Sequence, residues 1–398
     1  MHYERQKNPL RRCRLLRRQR GKGSVIITCA DIDGFKNLHN VCISPDPQYN
    51  IIIGRNAQGK TNLLEAMWIL TGCKSFRGSR DKDFIAHDGK AMHSQISFRD
   101  FRRVQKISFD LSKTQAGRSI CVNDVKVKGT SSLFDIFKCI VFTPDDSEII
   151  KGSPEKRRNF IDMAASQLNP ISVVHLTRSN ALLNQRNAVL KNVITGLSKR
   201  SELSVWDKQV AKEASFVSFM RYDYVSKLSC VCNQLYRNIT GGCEELSVGY
   251  RSNVFSQQDF SNLHCGPEAY DLYFSKLQEN TDYDLKFGYT HTGIGRDEIT
   301  VRINGYNAKD FASQGQIKSA ALVMKLAQAQ LYCAQSRETP VVFLDDVMGE
   351  LDESRQKLVF DIVKNMQVFI TCCNESALLP EINGKIFRVA DGLVSEEV

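Results

Sequence analysis

The sequence predicts an α/β protein interrupted by a helical insertion. Three observations carry this. Ile51-Ile52-Ile53, β-branched and apolar, runs directly into a glycine-bounded loop and then a helical pattern. Far downstream, Val341-Val342-Phe343-Leu344 forms a second short apolar run, ending in Asp345-Asp346. Between them, from Ser153 to about residue 240, the apolar period becomes helical.

Taken in order, Val25-Ile26-Ile27 and Val41-Cys42-Ile43 read as strands, with the Asp33-Gly34 turn and Phe35-Lys36-Asn37 between them. After Ile53, the spacing of Leu63, Leu64, Met67 and Leu70 predicts a helix that Gly72 ends. Residues 93–128 alternate apolar and polar with turn signals at Gly117 and Asn123-Asp124, predicting an antiparallel meander with one wet face. Ile140-Val141-Phe142 is a strand stopped by Pro144. Ser153-Pro154 predicts a capped helix start, and the helices that follow break near Asn169-Pro170 and Gly196. Residues 241–292 carry weak signals. Ile299–Ile303 with Asn304-Gly305 is a hairpin, a helix follows from about Ile317 to Gln335, and Val368–Thr371 and Ile386–Val389 are the last strands.

Gly54-Arg55-Asn56-Ala57-Gln58-Gly59-Lys60-Thr61, followed by Asn62, fits G-x-x-x-x-G-K-[ST] between a strand and a helix, the context that makes it a phosphate loop. Backbone N–H groups and the helix N-terminus favour a polyphosphate. Lys60 has the reach for its outer phosphates, and the Thr61 hydroxyl suits Mg²⁺. An Asp345-Asp346 pair at a strand's C-terminal edge completes such a site. The first carboxylate holds the metal and the second orients or deprotonates water. Ser313-Gln314-Gly315-Gln316 opens a helix and offers a second anion-binding N-terminus, or a plain cap.

With 398 residues, 42% of them hydrophobic and 25% charged, the chain fits a soluble protein of two or more domains. No apolar run is long enough to span a membrane, and no signal-peptide pattern opens the chain. The 13 cysteines include no C-x-x-C pair and read as reduced residues of a cytoplasmic protein. Of the net charge of +10, eight charges lie in residues 1–24, where nine Lys or Arg face one acid, Glu4. This segment reads as a solvated, disordered leader, so charge says little about the folded body.

The motifs GRNAQGKTNLLEA, FTPDDSEIIKGSPEKRRNFID, LLNQRN, GRDE, NG-x5-F-x-SQGQ-x-K and VVFLDDVMGELD together resemble the RecF family of ABC-type ATPases, related to the SMC family. The likeness covers about residues 25–395. It implies an ABC-type ATPase head (a P-loop NTPase) from residues 25–145 and 293–398, with a mainly helical arm at 146–292. It implies an ATP-dependent homodimer in which Lys60 and Thr61 of one subunit bind ATP while Ser313, Gln314, Gly315 and Gln316 of the other cap it. Asp345 would ligate Mg²⁺, Asp346 would be the hydrolytic base and Asp352 would line the dimer junction. Lys36 would lie near the nucleotide. The function implied is binding of double-stranded DNA beside single-stranded gaps in repair and replication restart, assisting RecR and RecO to load RecA. Lys156, Arg157, Arg158, Arg178 and Arg186 on the arm are candidate phosphate contacts.

Three departures stand out. Ala57 replaces a usual glycine. Gly-Ile-Gly-Arg-Asp-Glu at 293–298 replaces Gly-Pro-His-Arg-Asp. Phe369-Ile370-Thr371-Cys372 lacks the switch histidine of many ABC ATPases, which predicts slow hydrolysis. The competing readings are the ATPase subunit of a transporter, against which the SQGQ signature and inserted arm argue, and a short-armed SMC-like tether.

Overall fold

The computed structural model describes residues 23–114, 117–373 and 384–397. The leader lies outside these except for Gly23-Ser24, which pairs in parallel with Glu338-Thr339.

Two sheets of six strands form the nucleotide-loop half of the molecule. The first runs Leu393–Glu396, Lys385–Ala390, Tyr49–Ile53, Val368–Cys372, Val341–Asp345, Cys139–Phe142, all parallel except the terminal hairpin Lys385–Ala390/Leu393–Glu396. Its central strands are covered on both faces, so they read as unbroken apolar runs. Tyr49–Ile53 pairs on either side with strands from the far end of the chain. The core is therefore assembled from both ends of the chain.

The second sheet is antiparallel: Val41–Ile43, Ile26–Asp33, Ala91–Arg99, Val104–Ser112, Arg118–Val122, Val125–Lys126. Met92, Ser94, Ile96 and Phe98 face inward along one strand, with the polar partners on the wet face. Helix Lys60–Trp68 packs with both sheets in one cluster, through Leu63, Leu64, Met67 and Trp68. Ser94 ties the two layers by donating to the Ala66 carbonyl at 2.7 Å. Gly72, at φ 83°, ends the following 3₁₀ turn as expected.

The inserted helices are Pro154–Leu168, Ile171–Ile194 and Leu203–Ile239. Ser153 accepts a hydrogen bond from the Lys156 N–H, and Pro154 sits in the first turn. Leu203–Ile239 packs against Ile171–Ile194 and against Gln314–Gln335, so the arm and the parallel sheet share one apolar cluster. Two sequence expectations need correction. The weak-signal stretch 241–292 contains strand Leu246–Arg251, paired with Glu298–Ile303, and helices Gln257–Asn262, Pro267–Glu279 and Thr281–Phe287. Leu246, Val248 and Tyr250 do alternate, but Gly249 interrupts the signal. The helix expected from Ile317 begins at Gln314, because Ser313 and Gln316 form a capping box.

Lys138 is buried ahead of Cys139–Phe142, and its ammonium has no hydrogen-bond partner among the described residues. Burial pushes its pKa from 10.5 down to about 8, against the pull of Asp135. Between these values the unfolded chain holds the proton more tightly, so this residue makes stability rise with pH. Lys138→Met is expected to raise the melting temperature at about pH 7, and the gain should shrink toward about pH 10. Thermal melts at both pH values check this, and an equal gain at both would rule out the charge as its cause.

Candidate functional site

The loop after Ile53 curls because its residues permit it. Gly59 has φ 118°, and a Cβ there would meet the Asn37 amide at 2.9 Å. A Cβ on Gly54 would sit 2.4 Å from the Val389 carbonyl oxygen. Ala57 is held at φ 65°, a left-handed conformation that disfavours any Cβ by about 1–2 kcal/mol. This departure thus falls where glycine is the least strained residue. Lys60 Nζ, buried, donates to the Gly54 carbonyl at 2.8 Å and the Arg55 carbonyl at 3.3 Å, so the ammonium lies over the loop. The first turn of Lys60–Trp68 carries no acid, leaving its N-terminal field uncompensated.

The loop is braced from outside. Asn37 Nδ2 donates to the Gln58 carbonyl at 2.9 Å, and Asn37 Oδ1 accepts from Asn62 Nδ2 at 2.7 Å. The Asp391 N–H donates to Gln58 Oε1 at 2.5 Å. Sequence reading missed Asn37 and Asp391; the Asp-Gly turn signal at 391–392 was the available clue. Lys36, expected near the nucleotide, is engaged by the fully buried Glu65 at 2.5 Å and by Ser79 Oγ at 3.0 Å.

Asp345 ends its strand two places across the sheet from the loop strand. Thr61 Oγ1 and Thr371 Oγ1 each donate to Asp345 Oδ1 at 2.9 Å. Burial raises the carboxyl pKa, and the two hydroxyls partly offset that. Asp346 turns away at φ 51°, its N–H donating to Thr371 Oγ1 at 2.8 Å, and it stays half exposed. A hydroxyl beside a carboxylate suits Mg²⁺, which takes few protein oxygens and fills its shell with phosphate and water. No cluster of three metal-ligating side chains exists among the described residues, so a dedicated protein cage is not what these residues form. Cys373, just past Val368–Cys372, donates to Asn56 Oδ1 at 2.9 Å and lies 3.5 Å from Lys60 Nζ. It is a second contact that the sequence reading missed.

Ser313, Gln314 and Gly315 are exposed, and no hydrogen bond among the described residues joins 313–316 to 54–62. Gln314 accepts from Lys151 at 2.5 Å and Gln316 donates to Glu244 at 2.6 Å. A Cβ on Gly315 would meet nothing. Asp352 caps helix Glu353–Val363 and pairs with Arg355, which donates to Ser319 Oγ at 2.8 Å on the signature helix.

Among the arm cations, burial removes two from the surface and half-covers a third. Arg186 is fully buried between Asp207 (2.5 Å) and Asp284 (2.6 Å). Arg157 is buried on Glu298 at 2.8 Å, and Arg158 is half-buried, donating to the Asp297 carbonyl at 2.9 Å. These are corrections: helical spacing does not reveal carboxylates brought from residues 207–298. Lys156 is exposed and paired with Glu148 at 2.8 Å, while Arg178 is exposed and 3.9 Å from Glu213. The distinctive GSPEKRRNFID and GRDE stretches meet in a buried network. Arg221 grips both Asp162 oxygens at 2.8 Å and Asp297 at 3.2 Å, with Tyr250 also on Asp297. Gly295, where the family's histidine stands, is exposed with open space above it.

A phosphate loop facing a buried acidic strand end across a parallel sheet, with an inserted helical arm, defines the ABC/SMC class of ATPase heads. The profile described as "RecF/RecN/SMC N terminal domain" matches residues 26–390. An Smc head domain from Pyrococcus furiosus superposes with TM-score 0.53 at 16% identity, over 94% of this chain and 96% of that one, which bears on fold alone. The "DNA replication and repair protein RecF" of Clostridioides difficile is 32% identical over 90% of this chain and 95% of its own. That of Clostridium acetobutylicum is 34% identical over 92% and 98%. A solved structure of "the recombination mediator protein RecF-ATP in RecFOR pathway" matches at TM-score 0.87 and 29% identity, over 96% of this chain and all of that one. The chain belongs to the RecF family of DNA replication and repair proteins.

Asp345→Asn keeps an oxygen for both threonine hydroxyls while removing a buried carboxylate. It is expected to raise the melting temperature of the metal-free protein by about 2 °C and to abolish Mg²⁺-dependent ATP hydrolysis. A variant that melts lower would contradict the burial argument, and one that keeps its ATPase would remove Asp345 from the metal site.

Proposed function

We propose that ATP-Mg²⁺ joins two copies of this chain into a dimer that holds double-stranded DNA, and that slow hydrolysis releases it. The observation that carries this is Gly315. Neither positive φ nor packing within the chain asks for glycine there, yet it sits exposed in the first turn of a helix, where glycine costs about 1 kcal/mol relative to alanine. Close approach of a second subunit's nucleotide accounts for it. The RecF structure with ATP at 29% identity supports ATP as the ligand.

In this reading residues 54–62 cradle the phosphates, Lys60 neutralises the outer ones, and Thr61 with Asp345 holds the metal. Bound Mg²⁺ supplies charge to the phosphate oxygens. Asp346, half exposed beside Thr371, orients and deprotonates the attacking water. Ser313, Gln314 and Gly315 of the partner close the site, and Asp352 lies at the junction. Cys373 stands beside Lys60 where a histidine would assist, so turnover is slow. The head is residues 25–145 and 293–398 and the arm 146–292, with Lys156 and Arg178 as exposed arm cations for DNA phosphates. The partners are RecR and RecO, with RecA loaded at gaps.

The test is complementation between defective subunits. Lys60→Met and Ser313→Arg are each expected to abolish ATP-dependent sedimentation as a dimer and ATP hydrolysis. Mixed in equal amounts, they should recover hydrolysis up to about half of wild type, because only mixed dimers then form and each carries one intact site of two. No recovery, with both proteins folded, would place the signature in its own subunit's site. A protein that binds duplex DNA equally without ATP would sink the switch.

A further inference from the structure

The LLNQRN stretch has no part in the nucleotide site. Its Arg186 and Asn187 instead fix the helix Thr281–Phe287 and the turn that follows it. Arg186 Nη1 donates to Asp284 Oδ2 at 2.6 Å and Thr290 Oγ1 at 2.8 Å, and Asn187 Oδ1 accepts from the Thr290 N–H at 2.8 Å. Asp284 Oδ1 accepts from the His291 N–H at 2.8 Å. A fully buried arginine thus clamps both ends of residues 284–291.

This helix and turn carry rings facing water. Tyr283 is 51% exposed, Phe287 46% and Tyr289 41%. They form one group with His291: Tyr283–Phe287 at 4.9 Å between centroids, Phe287–His291 at 5.1 Å and Tyr289–His291 at 4.1 Å. Cations border them. Lys286 Nζ lies 5.7 Å from the Phe287 centroid, Arg296 Cζ 5.4 Å from that of Tyr289, and Lys191 packs beside Gly288. Among the described residues none of these three has a carboxylate within ion-pair distance, while the nearby acid Asp282 is taken by Arg200 at 2.5 Å.

We propose that Tyr283, Phe287 and Tyr289 form a stacking platform for single-stranded nucleic acid, with Lys191, Lys286 and Arg296 on its phosphates. An exposed aromatic group held rigid marks an interaction surface. A protein covering it would bury three cations without partners, whereas a nucleic acid brings both flat apolar faces and negative charge. A duplex keeps its base faces covered, so the rings select an unpaired strand. The site needs neither ATP nor the dimer. It shares only the ligand class, nucleic acid, with the function proposed above.

The experiment is fluorescence anisotropy on the full chain, using a labelled oligothymidine of about 20 nucleotides without nucleotide and a blunt duplex of equal length with ATP-Mg²⁺. The Phe287→Ala/Tyr289→Ala double variant is expected to weaken oligothymidine binding by about 10- to 100-fold and leave duplex binding unchanged. Phe287→Trp should retain the affinity, and near-UV circular dichroism should show both variants folded. Oligothymidine binding unchanged by the double variant overturns the platform while leaving the duplex reading intact. Equal loss for both ligands overturns it too, as does a change in sedimentation alone, which would make the rings a face for a second copy. A wild type that binds the duplex but no oligothymidine removes only this inference, and one that binds neither removes both.

Discussion

One oxygen, Oδ1 of Asp345, is where this fold is drawn together. It accepts from Thr61, in the helix after the phosphate loop, and from Thr371, at the end of the strand lying between loop and acid. Three stretches, from residues 61, 345 and 371, must therefore arrive at one point to within hydrogen-bond tolerance. A carboxylate buried there would be strongly disfavoured without such donors. The parallel sheet supplies the alignment, since Tyr49–Ile53, Val368–Cys372 and Val341–Asp345 are consecutive neighbours in it. The phosphate loop, Thr61 and the two acids all take their places from that register.

What could be read beforehand was what depends on local pattern. The apolar strand before Gly54, the left-handed demand at Gly59 and the acids after Leu344 are each written in a few adjacent residues. So were the meander and the capped start at Ser153. What could not be read was what depends on distant partners. Arg186 and Arg157 look like surface cations along a helix, yet Asp207, Asp284 and Glu298 reach them from elsewhere in the chain. The pairing of Lys36 with Glu65 was hidden for the same reason. The alternation of Leu246–Arg251 becomes meaningful only once Glu298–Ile303 lies beside it.

The buried ions divide the labour of the arm. Arg221 with Asp162 and Asp297 joins the first inserted helix to the stretch where the chain returns to the sheet. Arg186 with Asp207 and Asp284 does the same near the exposed rings. Apolar side chains of similar volume could match such pairs in stability. Ion pairs with fixed hydrogen-bond directions set orientation as well, and orientation is what a surface or a two-subunit site requires.

Helix Gln314–Gln335 is exposed at its first turn and buried for nearly all the rest of its length, against both the parallel sheet and the 37-residue helix Leu203–Ile239. It therefore behaves as the short end of a lever whose fulcrum is the shared apolar cluster. Leu203–Ile239 is about 55 Å long at 1.5 Å per residue. A tilt of about one degree set at the cluster displaces its far end by about 1 Å. The packing of Gln314–Gln335 therefore fixes where the far end of the long helix stands.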